Sequence, residues 1–78
     1  MARIKVVDME KVEKVRNLVQ DEVEATYSVF DKDNKKYIQI DTYGREGRLF
    51  PGKVSQVIQL DKENAQELID LLKKVFDI

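Results

Sequence analysis

Lys35, Lys36, Arg45, Arg48 and Lys53 fall in one segment of the chain, interleaved with Tyr37, Gln39, Tyr43, Ser55 and Gln59. Ammonium and guanidinium groups neutralise anions, amides and hydroxyls hydrogen-bond in either sense, and aromatic rings stack on flat π-systems. On one shared surface these side chains would suit an extended polyanion with exposed bases. The cations would meet phosphates, the amides would meet base edges or sugars, and the tyrosines would meet base faces.

The same residues offer little to a catalyst. The 78-residue chain has no cysteine and no histidine, so the usual nucleophile–base pairs and the usual zinc sites are excluded. Asp41 stands among the interleaved residues and would need a second carboxylate to hold a catalytic metal. Glu46 and Asp61 are not forced near it, and Asp41 reads more simply as a cross-strand partner for a Lys, Arg or Ser. The chain is therefore expected to be non-enzymatic, with no cofactor and no metal.

Two short motifs fail on their own chemistry. Gly47 to Lys53 matches G-x-x-x-x-G-K, but Val54 stands where a phosphate-binding loop needs the Ser or Thr that holds Mg²⁺, and a strand pattern follows instead of a helix. Asp31 and Asp33 open an apparent calcium loop, but Lys36 replaces its glycine and Thr42 its closing glutamate.

Charge is distributed unevenly. Net charge is −1, yet residues 1–34 hold six Lys/Arg against eight Asp/Glu, residues 35–56 five against two, and residues 57–78 three against five. The basic excess thus coincides with the candidate surface. With 37% charged and 42% hydrophobic residues, the chain has the make-up of a soluble globular domain. No apolar run approaches the ~20 residues that span a bilayer, and Asp8 cuts short any signal-like apolar core, so cytoplasmic residence is the expectation.

Positioning these side chains falls to alternating strands. Ile38, Ile40 and Thr42 alternate with Tyr37, Gln39, Asp41 and Tyr43, and Ile58 and Leu60 alternate with Ser55, Val57 and Gln59. Ala25, Tyr27 and Val29 alternate with Thr26, Ser28 and Phe30 in a preceding strand. The apolar set should face a core, leaving the tyrosines and amides on the open side. Asp31 to Lys35 is a turn in which Asn34 suits a left-handed backbone, and Pro51–Gly52 suits a turn in the 44–53 loop. Asp8 predicts a helix over about 9–22, with Val12, Val15, Leu18 and Val19 as its stripe. Asp61 predicts a second over about 62–77, with Ala65, Leu68, Ile69, Leu72, Val75 and Phe76 inward. Ile4 and Val6 suggest a short opening strand. The expected fold is one α+β domain spanning 1–78: an antiparallel three- to four-stranded sheet with two helices packed on one face, in the order (β)αβββα. A chain this short, with neither disulfide nor metal, is also a natural candidate for a homodimer.

The run Tyr37–Asp41, Gly52–Leu60 and Asp61–Phe76, about half the chain, resembles the small PC4-like single-stranded-DNA-binding proteins. Those pair a curved antiparallel sheet with a C-terminal helix, through which they dimerise. The resemblance implies that Arg45, Arg48, Lys53 and the outward strand residues contact a single strand of DNA. A helix over 9–22 departs from it, since strands stand there in those proteins. The string from Ile40 to Asp61 also resembles short uncharacterised bacterial proteins to which no settled activity attaches. The reading that follows is a nucleic-acid-binding module preferring single strands. The alternative is a protein–protein adaptor or inhibitor-like subunit that uses the same sheet face and the 44–53 loop.

Overall fold

Cross-strand pairing confirms the alternation on which the sequence reading rests. The structure, a computed structural model, describes residues 1–44 and 53–78. Strands β1 (Ala2–Arg3), β2 (Ala25–Lys32), β3 (Lys35–Tyr43) and β4 (Val54–Asp61) form one sheet in the order β1-β4-β3-β2, followed by helix α1 (Lys62–Phe76). In the β2–β3 hairpin Phe30 pairs with Tyr37, Ser28 with Gln39 and Thr26 with Asp41. Gln59 and Val57 of β4 continue the last two rows, and Asp61 continues the first. The other face aligns Val29 with Ile38 and Leu60, and Tyr27 with Ile40 and Ile58.

The hairpin turns on Asp33 and Asn34, both at positive φ, 52° and 65°. Two successive left-handed residues match the twist of the flanking strands, and Asn and Asp tolerate that backbone by hydrogen-bonding locally. At the other end the register slips: Thr42 pairs with Gln56 but Tyr43 with Val54, which leaves Ser55 in a bulge. Arg45, Arg48 and the Pro51–Gly52 turn lie outside the described residues.

Two expectations are corrected. The sheet is mixed, not wholly antiparallel: β1 lies parallel to β4, with Ala2 opposite Ile58 and Arg3 opposite Gln59. The backbone amide of Ile4 donates to the Gln59 carbonyl at 3.0 Å and extends that pairing. The described residues also hold one α-helix instead of two. Val6–Asp8 forms a 3₁₀ helix that closes with the Met9 amide on the Val6 carbonyl, and residues 9–24 continue with neither helix nor strand. Asp8 pairs with Lys5 at 2.9 Å instead of capping a following helix. The physical reason lies in the stripe itself. Three of its four residues are β-branched valines, which lose side-chain freedom in a helix, and an isolated helix of about 14 residues is marginal without a packing surface. Val12, Val15, Leu18 and Val19 meet no such surface and stand exposed.

Helix α1 forms where Asp61 predicts it. The Asp61 carboxylate accepts from the Asn64 backbone amide at 2.9 Å and from the Asn64 side-chain amide at 2.8 Å. Buried Asn64 in turn accepts from the Val7 backbone amide at 3.0 Å, which ties the N-terminal segment to the helix start. The core sits at this corner: Val6 and Leu60 are buried, Ala65 and Leu68 half-buried. At the far end the helix stops on Asp77, whose φ of 56° is left-handed, with the Ile78 amide returning to the Lys73 carbonyl. An acid there is unfavourable twice, for its Cβ in that backbone and for its charge at the negative end of the helix dipole. Asp77→Gly is expected to stabilise the chain by about 0.5–1 kcal/mol, read as a higher urea midpoint.

Candidate functional site

Among the described residues, Tyr37, Gln39 and Tyr43 share a half-buried face, and α1 packs chiefly on β4 and the 3₁₀ helix and not on β2 or β3. The first feature of this face is an aromatic pair. Phe30 and Tyr37 stack across the hairpin with ring centroids 5.4 Å apart and planes inclined by 21°. Arg3 projects from β1 over the Tyr37 ring, its guanidinium carbon 5.6 Å from the centroid, and donates to the Tyr37 hydroxyl at 3.5 Å. Cation–π attraction and this long hydrogen bond orient the ring and hold a positive charge beside it.

A line of polar groups crosses the sheet next to this pair. Gln59 Nε2 donates to Gln39 Oε1 at 2.7 Å, and Gln39 Nε2 donates to Asp41 Oδ1 at 2.9 Å. An ionised carboxylate only accepts, so Asp41 sets the direction of the whole line. Asp41 thus takes a structural hydrogen bond, but from Gln39 two residues away on the same strand and not from the cross-strand Lys, Arg or Ser that the sequence suggests. At the bulged end the hydroxyls of Thr26 and Tyr43 share a hydrogen bond of 3.0 Å.

The cations divide between the two ends of the sheet. Lys35 alternates with Tyr37 onto the aromatic face, whereas Lys36 falls with Ile38 on the opposite one. Lys53 is exposed at the other end of the sheet, since Lys35 and Tyr43 are eight residues apart on β3, about 27 Å. Ser55 is exposed in the bulge instead of standing across from Tyr43. Arg45 and Arg48 lie outside the described residues. Of the expected site, the structure therefore joins Tyr37, Gln39, Gln59 and Lys35 on one surface with Tyr43 at its edge.

Arg3 was missing from the sequence reading. A two-residue strand that pairs with a partner more than fifty positions later leaves no periodic signal of its own. Asp61 also bears on this region. Its carboxyl is held below the ordinary value of 3.8, first by the Asn64 backbone amide, then by the Asn64 side chain, with smaller help from Arg3 and Lys35 against the cost of burial. A depressed folded-state value means that the ionised cap stabilises the fold fully above about pH 4, and that this contribution is lost as pH falls through the lowered value. In thermal melts, Asp61→Ala is expected to melt below wild type by a constant interval near neutral pH. That interval should shrink in acid below 3.8; an interval unchanged there would contradict the assignment.

Lys35 and Lys36 also line a cleft of about 620 Å³ between the hairpin turn and the start of α1, facing Asp61, Glu63 and Glu67. Among the described residues no three acids gather as a metal site, and no helix is long and apolar enough to cross a membrane. The chain matches no protein-family model, no curated protein and no solved structure.

Proposed function

We propose that this chain is a non-enzymatic nucleic-acid-binding module that prefers single strands and receives them on the open face of its sheet. The observation that carries this reading is the stacked Phe30–Tyr37 pair with Arg3 over it, on strands away from the main packing of the helix. An unpaired base stacks on such a ring whatever its identity, and an adjacent guanidinium serves a phosphate or a base equally. The line Gln59–Gln39–Asp41 presents amide and carboxylate groups beside the stack for base edges or sugar hydroxyls.

Width favours single strands over duplex. Four strands side by side span about 15 Å, more than the ~12 Å of a major groove. The resemblance of Tyr37–Asp41, Gly52–Leu60 and Asp61–Phe76 to the PC4-like proteins supports the same reading. The test is fluorescence anisotropy of a labelled single-stranded oligonucleotide and of its duplex, at ~50 and ~200 mM salt. The expected result is tighter binding of the single strand, weakened several-fold by the added salt. Absence of binding at tens of micromolar protein in low salt overturns the proposal.

A further inference from the structure

Most of the hydrogen-bonding capacity of Asp41 is unused. An ionised carboxylate accepts through two oxygens at about four positions. Among the described residues Asp41 accepts one hydrogen bond, at Oδ1 from Gln39, and no Lys or Arg pairs with it. Gln39 has no second group to offer, because its carbonyl oxygen is held by the Gln59 amide at 2.7 Å. The line Gln59–Gln39–Asp41 therefore ends in a half-buried acceptor with room for further donors.

The neighbours of Asp41 supply a place for a flat ring that would carry those donors. Thr26 stands opposite Asp41 on β2, and its hydroxyl shares a hydrogen bond of 3.0 Å with the Tyr43 hydroxyl. That bond draws the tip of the Tyr43 ring to the row of Asp41, from a position two residues along the same face, about 7 Å away. Among the described residues no ring stacks on Tyr43. Tyr37, about 14 Å from Asp41 on the same strand, differs: it stacks with Phe30 and lies under Arg3. A flat ring laid on Tyr43 would turn an edge towards the carboxylate.

We propose that Asp41 and Tyr43 form a base-selecting subsite that prefers guanine. The inference rests on the nucleic-acid reading above and adds to it the identity of one base. A carboxylate on a surface for a polyanion repels phosphates, so its presence weakens binding unless a donor meets it. Guanine fits best. Its Watson–Crick edge carries N1–H and an N2–H side by side, and the two carboxylate oxygens accept both. Adenine and cytosine place a ring-nitrogen acceptor beside their amino group, so one carboxylate oxygen would meet a lone pair. Thymine and uracil flank their one N–H with carbonyls on both sides. Bases of a single strand are free to present this edge, as paired bases are not. Stacking on Tyr37 is indifferent to base type, so selection falls to Asp41.

The test is fluorescence anisotropy at ~50 mM salt with a short labelled oligothymidylate and with the same strand carrying one central guanine. The guanine strand is expected to bind about five- to 150-fold tighter, the range for one bidentate base contact. Equal affinity for the two strands overturns the base assignment and leaves the single-strand reading standing, whereas no binding of either overturns both. Hypoxanthine in place of guanine lacks the N2 amino group and reads the contact on the unmodified protein. It is expected to bind at least about threefold more weakly than guanine, and full guanine affinity overturns the inference. Asp41→Asn keeps an acceptor for Gln39 and replaces the second oxygen with a donor. This variant is expected to bind both strands alike and to bind oligothymidylate more tightly than wild type, because a charge that repels phosphate is gone; loss of a merely structural hydrogen bond would weaken it. A guanine preference that survives Asp41→Asn overturns the assignment to this residue.

Discussion

Leu60→Ala is expected to destabilise the chain by about 2–5 kcal/mol, a large share of the ~4–12 kcal/mol available to a domain of this length. Among the described residues, Leu60 and Val6 are the buried hydrophobic ones, and they lie where β4, the 3₁₀ helix and the start of α1 converge. Truncation there removes apolar burial and leaves a cavity at the junction of helix and sheet. At a urea slope near 1 kcal/mol/M, the midpoint should fall by two molar or more. Val15→Ala supplies the contrast. Val15 is 100% exposed, and its truncation should stay within about 0.5 kcal/mol of wild type. Equal effects at the two positions would contradict the location of the core.

Tyr37→Ala is the second large effect, this time on binding. Removing one stacking ring costs about 1–3 kcal/mol per base, so affinity for a single-stranded oligonucleotide should drop about five- to 150-fold. Tyr37→Phe keeps the ring and loses only the hydroxyl that accepts from Arg3, so it should bind close to wild type. Arg3→Ala should lower affinity less and reduce the slope of log affinity against log salt by about one, as one phosphate contact is lost. Loss of binding by Tyr37→Phe equal to that of Tyr37→Ala would argue against stacking as its source. Thermal melts of each variant separate a binding defect from unfolding.

The legible parts of this chain were those with local chemical signals. Strict alternation of Ile38 and Ile40 with Gln39 and Asp41 gave both the strand and the face on which each side chain lies. Asn34 marked the hairpin turn as a residue type that accepts positive φ, whereas the second left-handed residue, Asp33, was not singled out; Asp61 marked the helix start through its acceptor. What escaped depended on distant partners. The valine stripe of 9–22 has helical spacing, but spacing supplies no energy until a surface covers it. Arg3 reaches Tyr37 only because β1 adds in parallel beside β4, a pairing that no neighbouring residue announces. The bulge at Ser55 breaks a parity that the sequence presents as continuous.

The position of β2 at the margin of the sheet has a consequence for how this protein fails. Ala25 to Phe30 is a six-residue run without charge or proline, rich in aromatic and β-branched residues, and among the described residues one side of its backbone meets no neighbouring strand. Such an edge is a growth site for further strands, so heat-damaged or acid-damaged molecules should accrete there into cross-β fibrils. Asp31 and Lys32 guard only the last two rungs of that ladder.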